Sequence, residues 1–163
     1  GNVPVRLEYV DVPQEIAEFT IAGISNSCNM SNIASSIHET FSRLHKLIPT
    51  TPITPEKIVC FCDKFKICKE EMDYTAAISY SGAKIENNNL QCRIIPRHKA
   101  IKVTLYGSYD FMSDGWAGIN AHFRGLKFKA DKRVPPYEVY INGPHNSLNA
   151  KDYITEIYMP VKI

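Results

Sequence analysis

No apolar run in the sequence is long enough to span a bilayer, and no signal peptide opens it, which argues against a helical membrane protein and a secreted one. Because the first residue is Gly1 rather than methionine, the natural chain is free to begin earlier. A surplus of one charge is also lacking. The 19 Lys and Arg residues against 17 Asp and Glu leave a formal charge of +2, too small and scattered for a general grip on nucleic-acid phosphates. The densest positive run, Lys127, Lys129, Lys132 and Arg133, lies among turn-compatible residues and reads as a solvated connection. An even disulfide framework is missing too: there are 5 cysteines, and Cys60, Cys62 and Cys68 crowd into C-F-C-D-K-F-K-I-C. That segment has no pair of C-x-x-C arms and no following histidine, so alternating strand residues explain it better than zinc. His38, His45, His98, His122 and His145 are dispersed and show no H-x-x-x-H pair. No metal and no cofactor is therefore expected, and the cytoplasm, a reducing compartment, is the expected location.

What is present is an ordered series of strands and helices. Val5 to Val12 and Phe19 to Ile24 read as strands, and Ser25-Asn26-Ser27 is a polar break. From Ser31 to Ile48 the apolar residues Ile33, Ile37, Phe41, Leu44 and Ile48 recur every three or four positions, predicting a helix that Pro49 stops. Lys57 to Cys62 and Tyr74 to Tyr80 follow as strands. The second half runs through the same order. Leu90 to Ile95 and Ala100 to Tyr106 are strands, and Gly107-Ser108-Tyr109-Asp110 opens a helix to about Phe123. In that helix Gly115 and Gly118 each weaken the propensity by up to about 1 kcal/mol against alanine. P-P-Y-E-V-Y-I-N-G-P and Tyr153 to Ile163 supply the last strands.

The halves also share residues. Asp73 to Ile78 and Asp152 to Ile157 both read D-Y-x-x-x-I, 152 minus 73 or 79 positions apart, and the same offset carries Val59 onto Glu138. Asp73 and Asp152 themselves read as turn or capping residues. The pattern predicts an α+β domain spanning residues 1–163: two strand-helix-strand-strand repeats, about 3–82 and 88–163, related by a pseudo-twofold axis. Their antiparallel strands carry the two helices on one side, with a central cleft between the halves.

One residue breaks the strand pattern. In P-P-Y-E-V-Y-I-N-G-P, Glu138 shares a face with Tyr140, while Tyr137, Val139 and Ile141 take the other. A carboxylate taken into an apolar site loses hydration worth several kcal/mol, and needs hydrogen bonds, a cation or a proton to offset it. The bland alternative is a solvent-facing edge glutamate, or one paired with a lysine such as Lys102. Trp116, the only tryptophan, reads first as core on its helix face.

The ending P-x-Y-E-V-Y, its Gly-Pro turn and D-Y-I-T-E-I-Y-M-P-V resemble the GyrI-like small-molecule-binding domain, also called the AraC-type effector-binding domain. So do the opening V-R-L-E-Y-V, A-G-I and the central R-I-I-P-R-H-K-A-I-K-V-T-L-Y-G-S-Y. The resemblance covers almost the whole chain. It implies a non-enzymatic domain that binds or senses a small lipophilic molecule, a cationic one in the multidrug-sensing transcription regulators, with Glu138 as anchor. Tyr140, Tyr106, Trp116, Tyr80 and Tyr109 are the expected ligand-binding surround. The partners it implies are the small molecule and, beyond it, a DNA-binding regulator or DNA gyrase. No helix-turn-helix accompanies the domain, so no direct contact with nucleic acid is expected.

Alternatives stay open. Glu138 and Tyr140 form the catalytic pair if the domain hydrolyses a small electrophile, as some members do, although neither Ser108 nor the cysteines have the context of a nucleophile. An interaction module like the gyrase inhibitor would use an exposed surface instead. Haem binding, as in the related SOUL proteins, lacks an identifiable axial ligand.

Overall fold

The computed structural model describes residues 6–49 and 52–163, so Val5 and the start of the first expected repeat lie outside the described residues. Nine strands and two α-helices appear among them, making the protein α+β. They form two compact units: residues 18–96, and residues 97–163 joined by the chain up to residue 17. No helix among the described residues is long and apolar enough to cross a membrane.

The unit of residues 18–96 contains β2 (Phe19–Asn29), α1 (Ile33–Leu47), β3 (Ile53–Lys66), β4 (Glu71–Gly82) and β5 (Gln91–Ile95). Its strands lie in the order β3-β4-β2-β5, all antiparallel. The apolar stripe that predicted α1 is its buried side. Leu44 packs with Ala22, Ile24, Ile53 and Tyr80, and Phe41, Leu47 and Ile48 lie against that cluster. A short 3-10 turn, Met30–Asn32, precedes the helix and is capped by the Asn29 side chain, which accepts from the Ser31 N–H. Polar contacts also tether α1 to the sheet: the buried Tyr74 hydroxyl lies 2.6 Å from Ser36 Oγ and 2.8 Å from Thr40 Oγ1, and Asn26 Nδ2 of β2 donates to Thr40 Oγ1 at 3.4 Å.

β3 runs past Cys62 to Lys66, longer than the apolar run suggested, through a register shift between Cys62 and Lys64. Cys60 and Cys62 are strand residues opposite Ala76 and Tyr74, Cys68 lies in an exposed 3-10 turn, and no disulfide joins the five cysteines. No group of three potential metal-ligating side chains occurs among the described residues.

The second unit is built from β1 (Arg6–Ile16), β6 (His98–Tyr106), α2 (Met112–Gly125), β7 (Lys129–Ala130), β8 (Tyr137–Asn142) and β9 (Ile154–Lys162). Its strand order is β1-β6-β9-β8, with β7 on β9. β1 outlasts the Val12 limit read from sequence because Pro13 is absorbed in a bulge. The register passes from Val10 opposite Lys102 to Gln14 opposite Ala100, four positions on β1 against two on β6. The positive run is also more than a solvated connection: Lys129 and Ala130 pair with Lys162 and Val161, and Arg133 makes an ion pair with Asp131 at 2.7 Å.

One face of this sheet presents Ile101, Val103, Ile157, Met159 and Val161, and α2 closes over it through Ile119, Trp116 and Phe123. Burying each such side chain contributes roughly 1.5–3 kcal/mol. Two of the three glycines of α2, Gly115 and Gly118, lie directly against the sheet. A Cβ at Gly115 would lie 2.9 Å from Ile157 Cδ1, and one at Gly118 would fall inside the Tyr9 hydroxyl, 1.9 Å from its oxygen. Tyr9 in turn stacks on His122 of α2, ring centroids 4.0 Å apart. The helix starts later than Gly107-Ser108 suggests. Gly107 takes a positive φ of 130°, Ser108 caps a 3-10 turn at Tyr109–Phe111, and α2 follows from Met112.

The 79-position offset does not preserve strand register. Ile78 stands opposite Ile58, whereas Ile157, its counterpart by counting, stands opposite Glu138 rather than residue 137. A slip of one residue exchanges faces, so Val59 does not hold the place in β3 that Glu138 holds in β8.

Candidate functional site

Alternation along β8 decides where the carboxylate goes. Glu138 pairs with Ile157 and Tyr140 with Thr155, so both side chains emerge on the face that α2 covers. Glu138 is only 7% exposed. Trp116 Nε1–H, one helix turn into α2, donates to Glu138 Oε2 at 2.6 Å, and the Tyr140 hydroxyl donates to Oε1 at 2.5 Å. Asn120 Nδ2 steadies that turn by donating to the Trp116 carbonyl at 2.9 Å.

No lysine or arginine among the described residues forms an ion pair with Glu138. Lys102, the alternative partner, lies at an alternate position of β6 and binds Glu156 at 2.5 Å instead. The carboxyl group is therefore buried beside neutral donors. Burial pushes its pKa up, and the hydrogen bonds from Tyr140 and Trp116 offset only part of that. A group in this state gains from an arriving cation or from a proton.

Two more rings complete the surround. Tyr109 meets Tyr140 edge-on at 6.0 Å and lies tilted against Tyr153 at 4.9 Å. Its phenol is pushed up to about 12, first by burial and then by the charges of Tyr153 and Glu138. Tyr153 was not among the expected site residues. The D-Y of D-Y-I-T-E-I marked it, but as a strand start, and nothing local to it announces the partner 44 positions earlier at Tyr109. The Gly107 N–H, donating to the Tyr153 carbonyl at 2.9 Å, is what joins the two segments.

The other expected residues lie elsewhere. Tyr106 is one position off the Val103 and Leu105 face of β6; its hydroxyl donates to Glu8 Oε2 at 2.9 Å and the Arg6 guanidinium sits 3.7 Å over its ring. Tyr80 is in the core of the 18–96 unit, where its hydroxyl accepts from the Ile85 N–H at 3.4 Å. Ser108 Oγ accepts from the Asp110 N–H as a cap of the 3-10 turn. Thus Glu138, Tyr140, Trp116 and Tyr109 come together, and Tyr106 and Tyr80 do not join them.

The opposite face of the same sheet carries a second polar chain that sequence reasoning did not anticipate. Tyr158 OH donates to Glu156 Oε1 at 3.0 Å, its ring stacks on Tyr137 at 4.9 Å, and the Tyr137 hydroxyl lies 2.8 Å from His98 Nε2. Burial raises both phenols above their usual range. These groups satisfy one another and account for the buried His98.

Comparison with known proteins follows the same lines. No curated protein matches the sequence. Among solved structures, the EcmrR C-terminal domain superposes with a TM-score of 0.76 at 18% identity, covering 98% of this chain and 99% of that one. EcmrR in its DNA complex matches with the same score, and there the chain covers 57% of the longer protein. SAV2435 bound to tetraphenylphosphonium has a TM-score of 0.66 at 17% identity, over 98% of this chain and 94% of that one. At these identities the likeness is one of fold. A family model for the GyrI-like small molecule binding domain matches residues 14–162, nearly the whole chain, and the protein belongs to that family.

Proposed function

We propose that the domain binds a lipophilic cation at Glu138, with Trp116, Tyr140, Tyr109 and Tyr153 as its aromatic surround, and that it serves as a sensor rather than an enzyme. The observation that carries this reading is a buried carboxylate held by two neutral donors, with no cation of its own among the described residues. An aromatic surround adds roughly 0.5–2 kcal/mol per cation-π contact and favours flat, weakly hydrated cations. Tetraphenylphosphonium, the ligand bound to SAV2435, is a lipophilic, weakly hydrated cation that presents flat aryl rings on a tetrahedral centre, and EcmrR is seen on DNA. Ligand binding here is read as a signal passed to a DNA-binding module in a longer chain or in a partner. Five cysteines with no disulfide among them suit a cytoplasmic setting. Shared strand orders, β3-β4-β2-β5 and β8-β9-β6-β1, support the reading of the two units as products of duplication.

The test is a titration with tetraphenylphosphonium, followed by the fluorescence of Trp116 and by thermal shift. Glu138→Gln is expected to weaken binding by about 10- to 100-fold, or ~1.4–2.8 kcal/mol, without loss of the fold. A neutral analogue of the same shape should bind both proteins alike. Equal tetraphenylphosphonium binding by the two proteins would remove Glu138 as the anchor.

A further inference from the structure

The geometry points to Gly143 as the residue that seats Tyr109 against Tyr140 and so sets the spacing of the aromatic surround, an inference that rests on the reading of Glu138 as a ligand site. Gly143 follows β8 directly and is buried. Its backbone is not left-handed, so conformation alone does not call for glycine. Space does: an ideal Cβ at this position would lie 2.6 Å from Tyr109 Oη and 3.2 Å from His145 Nδ1.

The loop cannot easily retreat. The Gly143 N–H donates to Asn146 Oδ1 at 3.0 Å, and its carbonyl accepts from the Asn146 and Ser147 N–H groups at 3.1 and 2.9 Å. Asn146 Nδ2 ties the loop back to the Ile141 carbonyl at 3.2 Å. The Tyr109 ring is therefore the part that yields. Its backbone is fixed by the Ser108 cap and one side of the ring by Tyr153, which leaves movement off Tyr140, whose hydroxyl holds Glu138. A methyl group at position 143 thus acts on the ligand site through one phenol oxygen, without touching Glu138.

The experiment is a two-by-two comparison of Gly143→Ala and Tyr109→Phe, singly and together, because the phenylalanine lacks the oxygen that a Cβ would meet. Melting temperature reads the packing without any ligand, and tetraphenylphosphonium titration reads the site. In the wild-type background Gly143→Ala is expected to lower the melting temperature by about 2–4 °C and to weaken tetraphenylphosphonium at least about fivefold. In the Tyr109→Phe background it is expected to leave affinity unchanged and to lower the melting temperature less, since only the 3.2 Å approach to the exposed His145 remains. An equal loss in both backgrounds overturns the proposal, since the methyl would then strain the loop alone. A melting effect that depends on Tyr109 but leaves affinity untouched overturns the site-spacing role. If the wild-type protein does not bind tetraphenylphosphonium, the functional reading fails and takes the ligand half of this inference with it, while the melting comparison still decides whether Gly143 seats Tyr109.

Discussion

Trp116 Nε1 donates to Glu138 Oε2 at 2.6 Å, joining the middle of α2 to a strand 22 positions further along the chain. The bond gives the tryptophan two roles at once. Its ring lies against the core of Ile101, Val103, Ile119 and Ile157, and its only polar atom satisfies half of a buried carboxylate. A residue read first as core is thus also part of the candidate site.

Trp116→Phe separates those roles, since phenylalanine keeps an aromatic ring and lacks the N–H. Leaving Oε2 without its donor is expected to cost about 1–3 kcal/mol of folding free energy at neutral pH. In the Glu138→Gln background the same substitution should cost less, because no charge remains to be satisfied. Urea unfolding of the four proteins measures this coupling, and additive losses would show that the indole acts by packing alone.

The pH dependence follows from the raised pKa of Glu138. An acid whose folded pKa lies above its unfolded value of about 4.3 binds its proton more tightly when folded. Its contribution to stability is then fully present below that unfolded value and is lost as pH rises through the folded one. Asp131, Asp73 and Glu15 are shifted the other way, Asp131 by Arg133, Asp73 chiefly by Ser27 and Glu15 chiefly by Arg97; their contributions are present above the unfolded range and lost on acidification. Comparison with Glu138→Gln removes these common terms. The variant is expected to gain stability over the wild type as pH rises from 4 to neutrality. Tetraphenylphosphonium affinity of the wild type should fall by up to about tenfold per pH unit below the Glu138 pKa. In Glu138→Gln it should stay flat, and parallel pH profiles from isothermal titrations would refute the linkage.

The parts of this arrangement that could be read from sequence are those carried by local periodicity. The three-and-four spacing of Ile33, Ile37, Phe41 and Leu44 gave α1 to within a turn, and the two-residue period of β8 marked Glu138 as anomalous and placed Tyr140 beside it. Register between distant strands has no local signature. Tyr106 looked as eligible as Tyr140 until pairing put Leu105, not Tyr106, opposite Thr155, the same residue that faces Tyr140. Tyr153 was overlooked for the same reason. Glycines misled in a different way: propensity counts Gly115 and Gly118 as weaknesses of α2, whereas packing against Ile157 and Tyr9 makes them the condition for its close approach.

Gly118 therefore offers the sharpest contest between a local and a tertiary effect. Replacing it with alanine gains up to about 1 kcal/mol of helix propensity. The new methyl, however, would coincide with the Tyr9 hydroxyl, whose oxygen lies 1.9 Å from the ideal Cβ and whose Cζ lies at 3.0 Å. Tyr9 has little room to retreat while it stacks on His122 at 4.0 Å, so either the ring leaves that stack or α2 moves off the sheet. Overpacking of this kind costs typically about 1–3 kcal/mol, so the tertiary effect outweighs the propensity and a net loss of up to about 2 kcal/mol is expected. Gly125→Ala supplies the control at the end of the same helix, because a Cβ there meets nothing within 4 Å; it should be neutral or stabilising. Tyr9→Phe should recover part of the Gly118→Ala loss, and only part, since Cζ remains close. Because α2 carries Trp116, a displaced helix should also weaken tetraphenylphosphonium. Urea unfolding of the three single variants and the double variant measures the balance. A Gly118→Ala protein as stable as Gly125→Ala would mean that the helix does not rest on Tyr9.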